Sequence, residues 1–304
     1  MDLLSHVRGD DDLIPAWLEH YRRLGVTTFH VIVHGPVSEN TTLRGLAGRY
    51  PIVVEDAYDA EFISREKERR LNEVLARLRG RWFVMVDSDE FLELPYDGLA
   101  PTIAVLRRLG SDALYAPMLQ RVRADFSLAT PETLADPFQE MPLCSVSLYR
   151  DMGSQGSIDK YPLFFNQATT VVNGGAHLPP NGEATVLSRA RGVTHHFKWR
   201  RAAIPRLEAR VASQHKWRHE SAAYLAYLDA HDGRLPRGDA FVYSREALFR
   251  RHLLRRVGVI GHARWVAGWL ASLGRRRRAA APPPPAGVRY AASAGVAGVP
   301  NGRE

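Results

Sequence analysis

The run Trp-Phe-Val-Met-Val at residues 82–86 constrains the fold more than any other part of this chain. Five bulky apolar residues in succession leave the segment without a polar face, so we expect a strand buried on both sides, as in a parallel sheet. Three acidic residues, Asp87, Asp89 and Glu90, follow the run at once. Because ligands of open parallel sheets bind beyond the carboxyl ends of the strands, this turn is the first candidate for a functional site.

Strand and helix patterns alternate through the first hundred residues, which favours an α/β fold with a Rossmann-like mixed sheet flanked by helices. Further strands are predicted at residues 3–7, 29–33, 52–54 and 112–117. Helices are predicted at residues 14–24, 43–50, 62–79 and 99–109. Three later segments, residues 145–150, 169–172 and 184–187, are expected to complete the sheet as antiparallel strands.

The chain of 304 residues is long enough to bury one large core or two modest ones. The pattern predicts a main domain at residues 1–204 and a helical, basic extension at residues 205–278. Residues 279–304 are rich in Pro, Gly and Ala and have too little apolar surface to bury, so a disordered tail is predicted there.

The basic charge of this chain is concentrated in one segment. The formal net charge is +8, but residues 243–278 alone carry ten arginines against one acid, Glu246, and the rest of the chain is close to neutral. An enzyme that binds nucleic acid would be expected to spread basic residues along a groove, with aromatic residues for stacking. The sequence therefore predicts no nucleic-acid partner.

Residues 250–278 combine arginines with apolar side chains such as Val257, Trp265 and Trp269. Such a composition is typical of an interfacial helix on an anionic membrane, and the apolar run is too short and too interrupted to span one. Packing against the main domain or a second subunit is the alternative. With a single cysteine, Cys144, and no signal-peptide pattern, we expect a cytoplasmic protein that can lie peripherally on the inner face of the membrane.

Asp87 and Asp89 are candidates for a metal site. Where a strand passes into a turn, carboxylates at alternate positions can converge on one hard cation. Mg²⁺ and Mn²⁺ suit such a site, because both accept carboxylate oxygens and keep positions open for phosphate. A solvated acidic turn that caps the next helix is the alternative. Glu90 would either orient the metal ligands or pair with a nearby arginine.

The chain resembles bacterial glycosyltransferases related to family 2, which have a GT-A (nucleotide-diphospho-sugar transferase) fold and a DxDEF signature. The resemblance runs in order over roughly residues 3 to 200. Its segments are Trp-Leu-Glu-His-Tyr at 17–21 with Leu-Gly-Val at 24–26, Leu-Asn-Glu at 71–73, and above all Val-Asp-Ser-Asp-Glu-Phe-Leu at 86–92. It implies transfer of a sugar from a metal-bound nucleoside diphosphate sugar, with Asp87 and Asp89 at the metal and diphosphate, and it places Asn72 among the donor contacts.

Adjacent histidines form the second cluster. On a strand His195 and His196 point to opposite faces, so at most one of them faces the site. The resemblance implies a histidine here as a further metal ligand, and the sequence does not choose between the two. A half-buried histidine that stacks with Trp199 is the alternative. Lys198 is expected either to hold the diphosphate or to be an ordinary surface charge.

Three more candidates rest on the resemblance. It implies that Lys160 reaches a phosphate and that Asp159 acts as the catalytic base. It also makes His177, after the glycines at 174 and 175, a contact of donor or acceptor, although glycines serve turn geometry equally well. Asp125, Glu140, Asp151 and Glu183 are further conceivable bases that spacing does not separate. Family-2 relatives imply inversion, which requires a base opposite the leaving group.

One departure from the family pattern leaves the nucleotide open. Relatives follow the second strand with a Ser-x-Asp-Gly-Thr-like turn that holds the nucleoside, whereas this chain has Ser38 and Thr41 without the aspartates. Either Glu39 or the pair Glu55 and Asp56 takes over the base and ribose contacts, or the donor differs.

The expected function is a metal-dependent glycosyltransferase, hexosyltransferase-like, acting on a polysaccharide or glycoconjugate, including a lipid-linked acceptor. The missing acidic turn favours a rival, a non-catalytic nucleotide-sugar-binding or scaffold protein with the same fold. A metal-dependent nucleotidyltransferase would need a glycine-rich, basic loop after its first strand. The sequence His-Val-Arg-Gly-Asp at residues 6–10 does not resemble that loop.

Overall fold

The structure is a computed structural model that describes residues 1–36, 40–131, 134–154, 156–213 and 217–248. Three predictions lie outside these residues: the donor contact at Glu39, the interfacial helix within residues 250–278, and the disordered tail. The described ranges contain no helix that is both long enough and apolar enough to cross a membrane.

In the described part of the chain a seven-stranded sheet runs in the order β10-β6-β9-β4-β1-β2-β3. Its strands are β1 Asp2–Val7, β2 Thr28–His34, β3 Ile52–Tyr58, β4 Arg81–Met85, β6 Ala113–Tyr115, β9 Leu163–Asn166 and β10 Leu187–Arg191. The pairs β1–β2, β1–β4 and β2–β3 are parallel, and β9 pairs antiparallel with both β4 and β6. The sheet is therefore mixed.

A five-stranded sheet of the described residues runs in the order β12-β8-β7-β11-β5. Its strands are β5 Glu90–Glu93, β7 Met118–Val122, β8 Leu143–Ser145, β11 Val193–His196 and β12 Phe241–Val242. Strand β11 pairs antiparallel with β5 and parallel with β7, which sets the pair of histidines at its end beside the residues that follow Asp89.

Helices cover the sheets. Their bounds are α1 Ile14–Leu24, α2 Thr41–Leu46, α3 Ser64–Arg77, α4 Leu99–Arg108, α5 Pro137–Glu140, α6 Leu148–Asp151, α7 Ile204–Ala212, α8 Arg218–Ala230 and α9 Arg245–Leu248. Helix α1 buries Trp17, Leu18 and Tyr21, which share one face of a 3.6-residue period. It ends at Gly25, whose φ of 104° closes the helix in the left-handed region.

The core lies on both faces of the larger sheet. On one face α1 packs with Leu3, Val84 and other buried side chains, and on the opposite face α3 contributes Leu71 and Leu75 against Phe83. Since β4 is covered on both faces, its all-apolar sequence is explained. This confirms the predicted α/β class, a mixed sheet flanked by helices.

The later strand predictions are partly wrong. Residues 145–150 end β8 and then enter α6, and residues 169–172 form no strand. Residue 187, the last of the segment 184–187, begins β10. The segment around Val172 is held by a side chain instead, because Asn72 donates to the Val172 carbonyl and accepts from its amide at 2.9 Å each.

The parallel strands β1, β2, β3 and β4 all end at one edge of the larger sheet. As predicted for such sheets, the turns that follow them come together there, and they border a cleft. The helices α7 and α8, from the segment beyond residue 204, form part of the opposite wall. Residues of the sequence-predicted extension therefore belong to the cleft.

Candidate active-site cleft

The cleft has two halves that share the turn at Asp87 and Asp89. The strand-end half, about 460 Å³, is bordered by His6, Asp10, His34, Phe62 and Lys67. The helical half, about 550 Å³, is bordered by Tyr149, His196, Lys198, Leu207 and Glu220. Residues common to both are Glu68, Asp87, Asp89, His177, Arg206, Arg210 and Trp217. Volumes of this size suit a small-molecule ligand.

The acidic turn after β4 is fixed from three sides. Glu90 Oε2 accepts the backbone N–H of Asp87 at 3.0 Å. The hydroxyl of Ser88, which is buried, donates to Asp10 Oδ2 at 2.6 Å, and the carbonyl of Asp89 accepts the N–H of Phe197 at 2.8 Å. The two aspartate side chains therefore project from a backbone that the surrounding fold holds in place.

Asp87 is paired with a lysine of α3. Its Oδ1 lies 2.7 Å from Lys67 Nζ, and the lysine is almost fully buried. Burial opposes ionisation of Asp87, but Lys67 and Lys160 outweigh burial and hold the pKa of this carboxyl well below its usual value. Asp87 is therefore a carboxylate at neutral pH, and Lys67 is a cation at the same edge of the cleft.

Asp89 faces the second histidine of the pair. His196 Nε2 lies 3.3 Å from Asp89 Oδ2, while His196 Nδ1 lies 3.0 Å from Gln120 Oε1. Burial opposes ionisation of Asp89, but His196 outweighs it and lowers the pKa of the carboxyl. On the other face of β11, His195 Nε2 lies 3.0 Å from Glu93. The structure thus brings His196 to the acidic turn and does not bring His195 there.

A buried network of ion pairs lies behind the strand-end half. Arg200, with no exposed surface, pairs with Asp10 at 2.5 Å and with Asp12. Arg206 binds Asp10 through both terminal nitrogens and donates to the Arg8 carbonyl at 2.9 Å. Burial opposes ionisation of Asp10, but Arg206 and Arg200 outweigh it and lower the pKa of the carboxyl. Asp10 therefore fixes Arg206 at the border of the cleft.

Lys198 lies among three aromatic rings in the helical half. Its Nζ is 4.5 Å from the ring centre of Tyr224, 4.9 Å from that of Tyr149 and 5.2 Å from that of Trp199. Glu220 Oε1 is 4.0 Å away. Burial lowers the pKa of Lys198 to about 8, against the attraction of Glu220. Contact with the three rings holds the Lys198 amine in one orientation at the border of the cleft.

Flat rings form one wall of the strand-end half. The rings of His34 and Tyr58 stack at 4.6 Å, and Phe62 lies 5.8 Å from His34. On the other side Phe62 stacks with Trp217 at 6.4 Å, and Trp217 is 40% exposed. This wall joins the loop after β3 to the loop between α7 and α8.

His177, predicted as a contact of donor or acceptor, borders both halves of the cleft. Its Nδ1 lies 2.9 Å from the Asp159 carbonyl oxygen, and burial together with Lys160 lowers the pKa of the ring to about 3. Gly175, with φ at 81°, allows the ring to lie close, because a Cβ there would be 3.2 Å from the His177 ring.

Other predicted residues are not brought to the cleft lining. Lys160 is fully buried, where it pairs with Glu90 at 2.5 Å and donates to the Gly175 carbonyl. Glu90 thus orients the acidic turn and pairs with a lysine rather than an arginine. The Asp159 carboxylate accepts the Tyr115 hydroxyl at 2.9 Å. Asn72 hydrogen-bonds to the backbone of Val172. Asp56, on the edge strand β3, pairs with Arg70 of α3.

Sequence reasoning missed several residues of the cleft: Asp10, Lys67, Arg206, Arg210, Trp217 and Glu220. Lys67 sits in a helix with many charges, where no spacing separates it from its neighbours. The other five belong to the loop before the predicted helix at residues 14–24 and to the segment beyond residue 204. The cluster His-His-Phe-Lys-Trp-Arg, which sequence did single out, supplies Lys198 and the buried Arg200.

Among the described residues no group of three or more His, Cys, Asp or Glu side chains is arranged to hold a metal ion. The acidic turn offers two aspartates with a histidine beside one of them. Mg²⁺ sites built from one or two carboxylates, completed by water and substrate phosphates, are common.

No protein-family model and no curated protein matches this chain. Among solved structures it is similar to S. aureus TarS 1–349 in complex with UDP-GlcNAc, at 13% identity and a TM-score of 0.34, over 91% of this chain and 82% of that chain. The longer S. aureus TarS matches at 14% identity and a TM-score of 0.33, over 91% of this chain and 50% of that chain. HddC from Yersinia pseudotuberculosis matches at 12% identity and a TM-score of 0.25, over 41% of this chain and 59% of that chain. Likenesses this weak carry no information about substrate or reaction.

Proposed function

We propose that this chain transfers a sugar from a nucleoside diphosphate sugar to a polysaccharide or glycoconjugate acceptor. The observation that carries the proposal is the pair Asp87 and Asp89, which ends a buried parallel strand and faces a cleft with cationic walls. The cations are Lys67, Lys198, Arg206 and Arg210. Cations beside a rigid carboxylate pair are what a leaving diphosphate requires.

The chemical basis is electrostatic. When the bond between the sugar and the diphosphate breaks, negative charge grows on the bridging oxygen, and fixed cations stabilise that charge more than they stabilise the intact donor. Arg206 is fixed before a ligand arrives, because Asp10 and the Arg8 carbonyl hold its guanidinium. Lys198 is fixed by its aromatic cage. Little reorganisation is then needed during the reaction.

The strand-end half suits a nucleoside. The ring of Trp217 is 40% exposed and borders this half together with Phe62, so it offers a flat face on which any nucleobase can stack. The half also adjoins Lys67 and Arg206, so a base against this wall would leave its diphosphate beside the cations. The sugar would then lie at the junction of the two halves, and the acceptor would occupy the helical half.

A divalent cation, Mn²⁺ or Mg²⁺, fits the donor set of the turn. Asp87 and Asp89 would hold it, His196 is close enough to Asp89 to assist, and phosphate oxygens would complete the coordination. Bound there, the ion would neutralise charge on the departing diphosphate. Lys67 already pairs with Asp87, so the lysine would turn from the carboxylate toward a phosphate when the ion binds.

The experiment is manganese-dependent hydrolysis of a panel of nucleoside diphosphate sugars, because water replaces an unidentified acceptor. We expect one donor to be hydrolysed by the wild type and about 100-fold more slowly by Asp89→Ala. Asp97→Asn is the matched control, since Asp97 is exposed and does not border either half of the cleft. Donor binding without hydrolysis in the wild type would replace the proposal by the scaffold function, and absence of both would overturn it.

We further propose that residues 250–278 bring the enzyme to an anionic membrane surface, where a lipid-linked acceptor would be found. Each arginine near such a surface contributes about 1 kcal/mol. Changing Arg275, Arg276, Arg277 and Arg278 to glutamine should reduce sedimentation with phosphatidylserine vesicles and leave donor hydrolysis unchanged. Equal sedimentation of variant and wild type would exclude this role.

A further inference from the structure

The helical half of the cleft contains one carboxylate that the account above does not use. Of the acids that border this half, Asp87 and Asp89 form the turn, Glu90 is buried against Lys160, and Glu68 lies at the border shared with the strand-end half. Glu220 borders the helical half and not the strand-end half. It is therefore the described acid placed where an acceptor, but not a nucleotide, would bind.

The Glu220 carboxylate is held in one orientation. It lies in the first turn of α8, and the hydroxyl of Tyr224, one turn later on the same helix, donates to its Oε1 at 2.5 Å. Lys198 Nζ lies 4.0 Å from the same oxygen. Both contacts fall on Oε1, and together they orient the carboxylate.

Lys198 links Glu220 to the acidic turn. Its ammonium is attracted by both Glu220 and Asp89, and Arg210 is attracted by the same two carboxylates. The two acids thus lie within electrostatic range of the same two cations.

We infer that Glu220 is the general base that activates the acceptor, a role that rests on the proposed function. Its carboxylate takes the proton of the acceptor hydroxyl while that oxygen bonds to the anomeric carbon. The bond from this carbon to the diphosphate oxygen breaks, and its electron pair leaves with the nucleoside diphosphate. Tyr224 and Lys198 are positioning residues.

The test uses the full chain, the donor that the wild type hydrolyses, and two small nucleophiles. Water must lose a proton during attack, whereas azide carries none. In Glu220→Gln we expect hydrolysis to fall about 100-fold or more, with the donor KM changed less than threefold. Sodium azide should restore turnover, with release of a glycosyl azide. Glu208→Gln, on the exposed face of neighbouring α7, removes the same charge and should match the wild type.

The pH profile supplies a second readout. The acidic limb of kcat/KM in the wild type should report ionisation of Glu220, and it should disappear in Glu220→Gln. A base elsewhere would leave the limb in place in this variant.

The outcomes separate this inference from the proposed function. If Glu220→Gln keeps the hydrolysis rate and the acidic limb of the wild type, the role of Glu220 is overturned and the glycosyltransferase proposal still stands. Lost hydrolysis without azide rescue would also overturn it, since a base is dispensable for azide. A wild type that neither binds nor hydrolyses any donor would instead overturn the proposed function.

Discussion

Two acidic turns lie side by side at the ends of adjacent parallel strands, and their carboxylates have different kinds of partner. Asp10-Asp11-Asp12 follows β1, and Asp87-Ser88-Asp89 follows β4. In the first turn Arg200 and Arg206 neutralise Asp10 and Asp12, and Arg200 has no exposed surface. In the second turn the partners are Lys67 and His196, which themselves border the cleft.

The difference concerns the side from which the countercharge comes. Arg200 approaches the first turn from the interior, so its ion pairs fix the fold, and the same Asp10 also holds Arg206 at the border of the cleft. Lys67 and His196 approach the second turn from the walls of the cleft, so a bound diphosphate or metal can compete for each partner. Removing one member of a buried pair leaves an uncompensated charge, which is costly. We therefore expect the first turn to govern stability and the second to govern activity.

The largest expected effect is on stability, from Arg200→Met. The change leaves Asp12 buried without its arginine and Asp10 with Arg206 alone, and should lower the free energy of unfolding by about 3–5 kcal/mol. Urea denaturation measures it. Arg201→Met, at the exposed next residue, is the control and should cost less than about 0.5 kcal/mol. Equal losses in the two variants would mean that the network does not stabilise the fold.

Asp87→Asn should show the reverse pattern. We expect donor hydrolysis to fall about 100-fold, equivalent to about 2.7 kcal/mol, because the turn loses a charge that positions cation and diphosphate. Stability should fall less than in Arg200→Met, since the Asp87 side chain is 33% exposed and water can replace its pair. Asp97→Asn should change neither quantity. A variant that unfolds readily yet keeps its hydrolysis rate would place Asp87 with the structural turn.

The sequence predicted the second turn as a site because its signal is local. An apolar run followed at once by carboxylates identifies both the buried strand and the end of it that borders the cleft, and the parallel strands around it alternate with helices in a regular pattern. The opposite orientations of His195 and His196 also follow from the two-residue period of a strand.

What the sequence could not predict depends on distant pairs. Asp10 lies just before a predicted helix, and nothing near it in the sequence indicates that Arg200, far along the chain, binds it. Lys160 resembles a phosphate ligand, but Glu90 and Gly175 bury its amine. Arg206 and Glu220 lie in a segment assigned to a separate extension, and their roles appear only when α7 and α8 are placed over the cleft. Burial and partner choice are tertiary properties, so local patterns do not encode them.

The dependence of stability on pH should separate the contribution of His6, on β1, from the contributions of both acidic turns. Burial and Lys67 lower the pKa of His6 from 6.5 to about 3, so between these values the unfolded chain binds a proton that the folded chain does not. The contribution of His6 to stability is thus present above pH 6.5 and is lost as the pH falls toward 3. The loss should amount to about 2 kcal/mol at pH 5. In contrast, the lowered pKa values of Asp10, Asp87 and Asp89 make stability depend on pH only at more acidic pH.

His6→Gln should therefore flatten the fall in stability between pH 6.5 and pH 4, as followed by urea denaturation at several pH values. His219→Gln, at an exposed position on α8, should leave the slope unchanged. An unchanged slope in His6→Gln would assign the acid sensitivity to other groups.

The smallest expected effect comes from the bond that joins the two turns. Ser88 is buried and donates to Asp10 Oδ2, so Ser88→Ala removes one hydrogen bond to a charged group that Arg206 still contacts. We expect a loss of about 1.5 kcal/mol in unfolding free energy. Because the bond couples the structural turn to the functional one, hydrolysis should also fall severalfold, with the donor KM less affected than kcat. Lost stability with an unchanged kcat would mean that the acidic turn after β4 keeps its geometry without Asp10.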